Sequence, residues 1–332
     1  MIPRAGSIKN LKLVEERLDR LEVNEVTVSV KAIGLNFADV FAMYGLYGAT
    51  PEGSFVPGLE YCGVVSEVGS EVDQYDVGDR VMGVTKFGGY ASHINNHEQY
   101  LSPLPEDWSF SEGAAYLVQA LTAYYALVYL GNLEKEGTVL IHSAAGGVGL
   151  LANKIAKTYN ATTIGAVGNE SKLALLKQQG YDHGIVRSKQ FKKDLINALG
   201  KKPLDVVLEC IGGKFFTNSY QVMAKQGRLV TYGSARYGQT SARPNYLKLI
   251  WTYLTRAKLD PQNMIEENKS VMGFNLIWLY EQEELLKEVL LGLNKLNIGK
   301  PHVGHEFSFD DMHGAIKLFQ SGKTVGKVVV NL

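Results

Sequence analysis

A two-domain α/β protein is the fold predicted by this sequence: a β-rich barrel or sandwich joined to a doubly wound parallel sheet. Three observations carry the prediction. Short runs in the first third alternate apolar with small or polar residues, and glycine and proline separate them. From residue 138 onward, short buried strands alternate with helices at the spacing of βαβ units. A glycine cluster joins the first of those strands to its helix. The length of 332 residues suits two domains at roughly 150 residues each.

The β-rich part contains VTVSVKAIG (26–34) and GVVSEVG (63–69), punctuated by Pro57-Gly58, Gly78-Asp79 and Gly88-Gly89. After Trp108 the rhythm changes. Residues 113–133 carry no charge and are long enough to span a bilayer. Gln119, Thr122, Asn132 and several tyrosines lower their hydrophobicity, so the stretch reads as a buried helix ending near Gly131, and no membrane span is expected. TVLIH (138–142), TTIGAV (162–167), HGIV (183–186), DVVLEC (205–210), RLVTYG (228–233) and SVMGF (270–274) read as strands of the parallel sheet. The segments between them read as helices, among them 171–180 and 191–200, and a further helix covers 280–296. The C-terminal segment reads as strand, helix, strand. Residues 234–269 read as irregular and long for a connection, which marks a contact or functional region.

Lys plus Arg and Asp plus Glu each number 34. That balance gives no electrostatic reason to expect nucleic acid or an anionic membrane as partner. The only cysteines, Cys62 and Cys210, are far apart, which excludes a disulfide framework and a cysteine-rich zinc lobe. The start, MIPRAGSIKNLK, has no apolar signal core, and a cytoplasmic location is expected.

Ser143-Ala144-Ala145-Gly146-Gly147-Val148-Gly149 follows a strand and opens a helix, the context of a dinucleotide fingerprint. Ala144, Gly146 and Gly149 take its three places. The middle glycine admits a pyrophosphate, the last lets helix pack on strand, and the helix N-terminus holds the anion. The next strand ends Ala166-Val167-Gly168-Asn169 without the acid that binds ribose hydroxyls in NAD sites. Small residues there leave room for a 2′-phosphate, and Lys172 and Arg187 supply positive charge, so NADPH is the expected cofactor.

The chain as a whole resembles the medium-chain dehydrogenase/reductase superfamily, in its zinc-free quinone oxidoreductase branch. The resemblance rests on AIGLNFADVFAMYGLYG (32–48), VPGLEYCGVVSEVG (56–69), VGDRVMG (77–83), LTAYYAL (121–127), IHSAAGGVG (141–149) and VGKVVV (325–330). VTYGSA (230–235) and SVMGFNLIWL (270–279) are most similar to the VAT-1 subgroup. It implies a GroES-like catalytic barrel over 1–117, a Rossmann cofactor domain over 118–278 and a catalytic return segment over 279–332. A cleft between them and a homodimer joined near the last Rossmann strand are implied as well. The short approach to NLKLVEE departs from the family, so the barrel edge is expected to differ.

Zinc enzymes of the superfamily carry Cys, His and Cys ligands at places filled here by Asn36, Leu59 and a residue near Val118, none of which makes a zinc site. No metal is therefore expected. Without a Lewis acid, alcohol oxidation is disfavoured. Hydride transfer to a quinone or an α,β-unsaturated carbonyl remains open. The resemblance assigns catalytic roles to Asn36, as a donor facing nicotinamide and substrate, and to Tyr47, as a proton donor. Cofactor contacts are expected from Asn36, Thr122, Ala145, Gly146, Gly147, Val148, Gly149, Asn169, Lys172, Arg187, Tyr232, Gly233, Ser234, Phe274 and Asn275. Glu60 either orients the site or pairs with a buried arginine. The function expected is NADPH:quinone reduction. The alternatives are NADPH-dependent enone or alkenal reduction, and a cofactor-binding interaction protein with little catalysis.

Overall fold

The computed structural model describes all 332 residues. Strands β1 (Glu25–Gly34), β2 (Glu60–Val68), β3 (Arg80–Val84), β4 (His93–His97) and β5 (Leu101–Pro103) form the barrel with two strands from the far end of the chain. The parallel sheet follows: β6 (Thr138–His142), β7 (Thr162–Val167), β8 (His183–Val186), β9 (Val206–Glu209), β10 (Arg228–Thr231) and β11 (Ser270–Gly273). Then β12 (Val303–Ser308) and β13 (Lys327–Asn331) return to the barrel.

β1 is the hub of the barrel. It pairs antiparallel with β2 along one edge, and on its other edge with β4 through Glu25–Ser29 and with β13 through Ala32–Gly34. Its alternation sends Val26, Val28 and Val30 into a core completed by Tyr61, Val65 and Val81.

The second sheet runs in the order β11-β10-β9-β6-β7-β8, all parallel. Both faces are covered, as continuous apolar strands require. Leu140, Ile164 and Val207 meet Phe191 and Leu195 on one face. Val139 and Ile141 meet Leu121, Leu151 and Ile155 on the other. The order reverses between β6 and β9, and ligands bind beyond the strand ends at such a switch point.

The apolar helical stretch Phe110–Leu130 is a core element, with 78% of its most apolar window buried. It closes in a π turn over Tyr125–Leu130. Helix Glu283–Leu296 packs on helix Leu117–Tyr124. Residues 234–269, expected to be irregular, contain helices Tyr246–Leu254 and Pro261–Glu267. Each is short and locally capped: the Asn245 side chain accepts from Lys248 N–H, and Asp260 from Gln262 N–H. Their shortness hid them from a reading based on periodicity.

Candidate active site

The fingerprint turn is built as its spacing requires. Helix Gly147–Thr158 starts behind Gly146 with no side-chain cap, so its first N–H groups are open to an anion. Gly149 has no substitute: a Cβ there would stand 2.7 Å from Ala144 Cα and Ser143 O. At Gly147 a Cβ would run into the Gln119 side chain.

A cavity of about 620 Å³ lies between this turn and the barrel. Of the residues expected to contact cofactor or substrate, Asn36, Tyr47, Thr122, Gly146, Gly147, Val148, Gly149, Tyr232, Gly233, Ser234, Phe274 and Asn275 line it. Ala145 does not. It is buried, and its carbonyl accepts from Gly326 N–H at 2.7 Å. Thr122 donates its hydroxyl to Val118 O at 2.6 Å.

The cavity floor is a closed polar network. Lys327 on β13 and Glu60 on β2 form an ion pair, with side chains 2% and 1% exposed. Glu60 also accepts from Val118 N–H at 3.1 Å and from Gln119 Nε2 at 3.2 Å. Asn36 accepts from Gln119 Nε2 at 2.8 Å and from Lys327 Nζ at 2.9 Å. Its own amide nitrogen donates to Glu60 Oε1 at 3.0 Å and to Gly34 O at 3.2 Å. Both amide protons are thus engaged, which corrects the expectation of a donor free for a substrate oxyanion. Asn36 holds the floor together instead. The partner of Glu60 is a lysine, not an arginine. Burial lowers the Lys327 pKa, and the Glu60 charge opposes that shift.

Asp39 stands behind this floor, fully buried. It accepts from Asn36 N–H at 2.8 Å and from the Tyr90 hydroxyl at 3.1 Å, while Oδ1 has no partner. Burial pushes its carboxyl up to about 7, against the pull of those bonds and of Lys327.

On the opposite wall the Tyr47 hydroxyl donates to Asn275 Oδ1 at 2.7 Å. Burial pushes the phenol up to about 12, against the Asn275 hydrogen bond. Tyr47 therefore carries its proton throughout the physiological range. Phe274 packs edge-on against Tyr125 with ring centroids 5.0 Å apart, which fixes the loop presenting Asn275.

Asn169, Lys172 and Arg187 sit outside the cavity lining, beyond β7 and β8. Asn169 caps a turn by accepting from Ser171 N–H at 2.9 Å. Lys172 donates to Gly322 O at 2.8 Å and Thr324 O at 2.7 Å. Arg187 donates to Ala166 O at 2.8 Å. Neither cation has a carboxylate partner. Burial lowers the pKa of Lys172, and the Arg187 charge adds to that shift. Arg187 feels the Glu209 carboxylate without touching it, and Lys172 has no carboxylate near it; two neighbouring cations suit a phosphate.

No three His, Cys, Asp or Glu side chains are gathered anywhere in a way that could hold a metal ion. At the places of the superfamily's zinc ligands stand Asn36, Leu59 and Val118, and a lysine ammonium already neutralises Glu60. Cys62 and Cys210 are buried, and burial raises both thiols, Cys62 to about 12.

Known proteins share this fold. Residues 22–106 match the alcohol dehydrogenase GroES-like domain, and residues 147–289 match the zinc-binding dehydrogenase domain. The human synaptic vesicle membrane protein VAT-1 homolog is 34% identical over 92% of this chain and 78% of its own length. The chain belongs to the medium-chain dehydrogenase/reductase family. Within that family it falls in the VAT-1-like subgroup. The crystal structure of a human VAT-1 homolog-like protein superposes with a TM-score of 0.83 at 26% identity, covering 100% of this chain and 96% of that one. The Escherichia coli quinone oxidoreductase complexed with NADPH gives 0.84 at 27% identity, covering 100% and 98%. The CurK enoyl reductase gives 0.86 at 28% identity, covering 99% and 97%. This medium-chain dehydrogenase/reductase is thus an oxidoreductase by family.

Two members of its floor were not singled out from the sequence. Gln119 was read only as a polar residue in an apolar helix. Lys327 lies in VGKVVV, where a lysine inside a buried strand itself signals a buried partner.

Proposed function

We propose that the protein is an NADPH-dependent reductase of electron-poor acceptors, with quinones as the substrate class. The observation that carries this is the cleft's chemistry. An open helix N-terminus and the neighbouring cations Lys172 and Arg187 suit a phosphorylated dinucleotide, and the far wall offers a protonated phenol but no metal ligand set. The NADPH complexes of related quinone oxidoreductases support it.

When bound, the reduced cofactor supplies a hydride. The chain's residues do the rest. The glycine turn and the Lys172–Arg187 pair bind the phosphates. Lys327, its charge balanced by Glu60, brings an ammonium N–H to the cavity floor, where an acceptor oxygen becomes negative. Asn36, Gln119 and Glu60 fix that ammonium. Tyr47 delivers its proton by exchanging the hydrogen bond it makes to Asn275 Oδ1 for one to the acceptor.

A second reductive chemistry, double-bond reduction of enones, is favoured by Tyr47 itself. Its proton can serve a carbon as well as an oxygen, and an enoyl reductase is among the structural neighbours. The β11 edge is unpaired on its outer side, which supports a homodimer formed by continuing the sheet.

The test is loss of absorbance at 340 nm with NADPH or NADH against quinones, enones and, with oxidised cofactor, alcohols. Quinone turnover with NADPH and little with NADH is expected. Faster enone turnover assigns the second chemistry. NADPH binding without turnover of any acceptor defeats both.

A further inference from the structure

Four tyrosines line the cavity: Tyr47, Tyr232, Tyr237 and Tyr280. Tyr47 is bonded to Asn275. Tyr232 lies against Cys210, just beyond the ends of β10 and β9, and Tyr237 closes the turn after it. Tyr280 has no part in the reaction described so far. It sits in the 3-10 turn Leu276–Glu281, which starts directly after Asn275, and it is 2% exposed.

The Tyr280 hydroxyl has no hydrogen-bond partner in the protein. It is not one of the polar atoms sealed away without a partner, as Asp39 Oδ1 and His142 Nδ1 are. The oxygen is therefore open, and the open space this residue lines is the cavity. A buried phenol normally satisfies its O–H. Here the place of the missing partner lies where a substrate would sit.

The ring is held firmly all the same. Tyr280 O accepts from the Tyr100 hydroxyl at 2.8 Å, and the two rings lie 6.1 Å apart. The next residue, Glu281, pairs with Lys86 at 2.8 Å, and Glu283 accepts from Gln99 Nε2 at 3.2 Å. Tyr100, Lys86 and Gln99 all belong to the barrel side, so the turn after β11 is clamped across the cleft and the phenol is in place before a ligand enters. Glu60, Tyr47 and Asp39 are the ionisable groups whose charges act on Tyr280. That sets it between the Glu60–Lys327 floor and the Tyr47 wall. Burial, with those charges added, raises the phenol well above its usual value, so it is a donor throughout the physiological range.

We propose that Tyr280 is a second donor to the acceptor: its O–H bonds to the acceptor oxygen that becomes negative, beside the Lys327 ammonium, and keeps its proton. The assignment rests on the reductase reading above and names the residue that holds the acceptor in that site. The hydride and the one proton of the reduction are already supplied by the reduced cofactor and Tyr47, so Tyr280 transfers nothing. Its advantage is that it has no protein bond to give up, whereas Tyr47 must first release Asn275.

The probe is 4-nitrophenolate, a stable anion that carries the oxygen of a reduced quinone. It is titrated into the full chain loaded with NADP+ and into Tyr280→Phe loaded alike, and binding is read from its absorbance. The variant removes a hydrogen bond to a charged oxygen, so affinity should fall about tenfold or more. With quinones and NADPH, kcat should fall by a similar factor while KM for NADPH stays unchanged. The melting curve should not move, because the lost hydroxyl bonds to nothing in the protein. Nitrophenolate affinity within about twofold of the parent overturns the assignment. So do equal quinone turnover in the two proteins, a parent that binds no nitrophenolate, and a lowered melt, which would show that the hydroxyl serves the fold. Failure of the reductase reading has a separate signature: tyrosine-dependent nitrophenolate binding in a parent that reduces no acceptor.

Discussion

Lys327→Met is the most informative single change. The methionine fills much of the same volume but removes the ammonium, so Glu60, 1% exposed, keeps a charge with no cation beside it. Breaking a buried pair by deleting one partner costs about 3–5 kcal/mol. Asn36 Oδ1 also loses its bond from Lys327 but keeps that from Gln119, so the cost is concentrated on Glu60. Spread over an unfolding entropy of roughly 2 cal/mol/K per residue for 332 residues, that is a drop of about 4–7 °C in melting temperature. The pH dependence identifies the cause. A stranded buried carboxylate binds a proton more readily in the folded than in the unfolded state, so the variant loses stability as pH rises. The deficit relative to the parent should be smaller at pH 5 than at pH 8. Adding Glu60→Gln to Lys327→Met removes the stranded charge and should recover at least half of the loss. Scanning calorimetry of the three proteins at both pH values measures all of this. A Lys327→Met melt within about 1 °C of the parent, or a double variant no better than the single one, refutes the ion pair as the anchor of the floor.

Three further outcomes are expected. Burial raises the Asp39 carboxyl to about 7 in the folded state, so between about pH 4 and 7 the folded chain holds a proton that the unfolded chain has released. Stability therefore falls as pH rises through that window, by a few kcal/mol, and Asp39→Asn should flatten that part of a denaturation series. Lys172→Ala and Arg187→Ala should each weaken NADPH binding about tenfold or more and leave NADH binding little changed, measured by cofactor fluorescence titration. Tyr47→Phe should lower enone turnover on the order of a hundredfold and quinone turnover much less, because only the enone needs a proton placed on carbon. Equal losses on both would show that Tyr47 serves through Asn275 and the shape of the wall.

How far the sequence revealed this molecule depended on how local each feature is. β6, the glycine turn and its helix are contiguous, and the close approach at Gly149 is written in the spacing of the cluster. The parallel sheet follows from short apolar runs separated by helices, and each lies where its run predicted. The cavity floor is different. Asn36, Glu60, Gln119 and Lys327 come from four separate segments, and Lys327 meets Glu60 across 267 positions. No window contains two of the four. The free donor assigned to Asn36 was lost for the same reason: what occupies an amide is decided by neighbours that only the fold supplies. Residues 246–254 failed in another way. Their apolar spacing is helical, but nine residues are too few for it to stand out, and the stripe points outward.

The floor and the cofactor turn are joined through two consecutive residues. Gly326 donates to Ala145 O at 2.7 Å, and the next residue, Lys327, forms the buried pair. Gly326 has φ +58°, and a Cβ there would stand 2.4 Å from His302 O, so glycine is the residue this junction accepts. The turn at 322–324 is held in addition by Lys172, whose ammonium donates to two of its carbonyls. A phosphate drawing Lys172 toward itself would compete with those carbonyls. The strain of that competition would reach Lys327 through the two residues, Val325 and Gly326, that separate it from Thr324. On the proposed reading, cofactor binding and the ammonium beneath the acceptor would be coupled through a single piece of chain, the segment that returns to a barrel whose other strands end by residue 103.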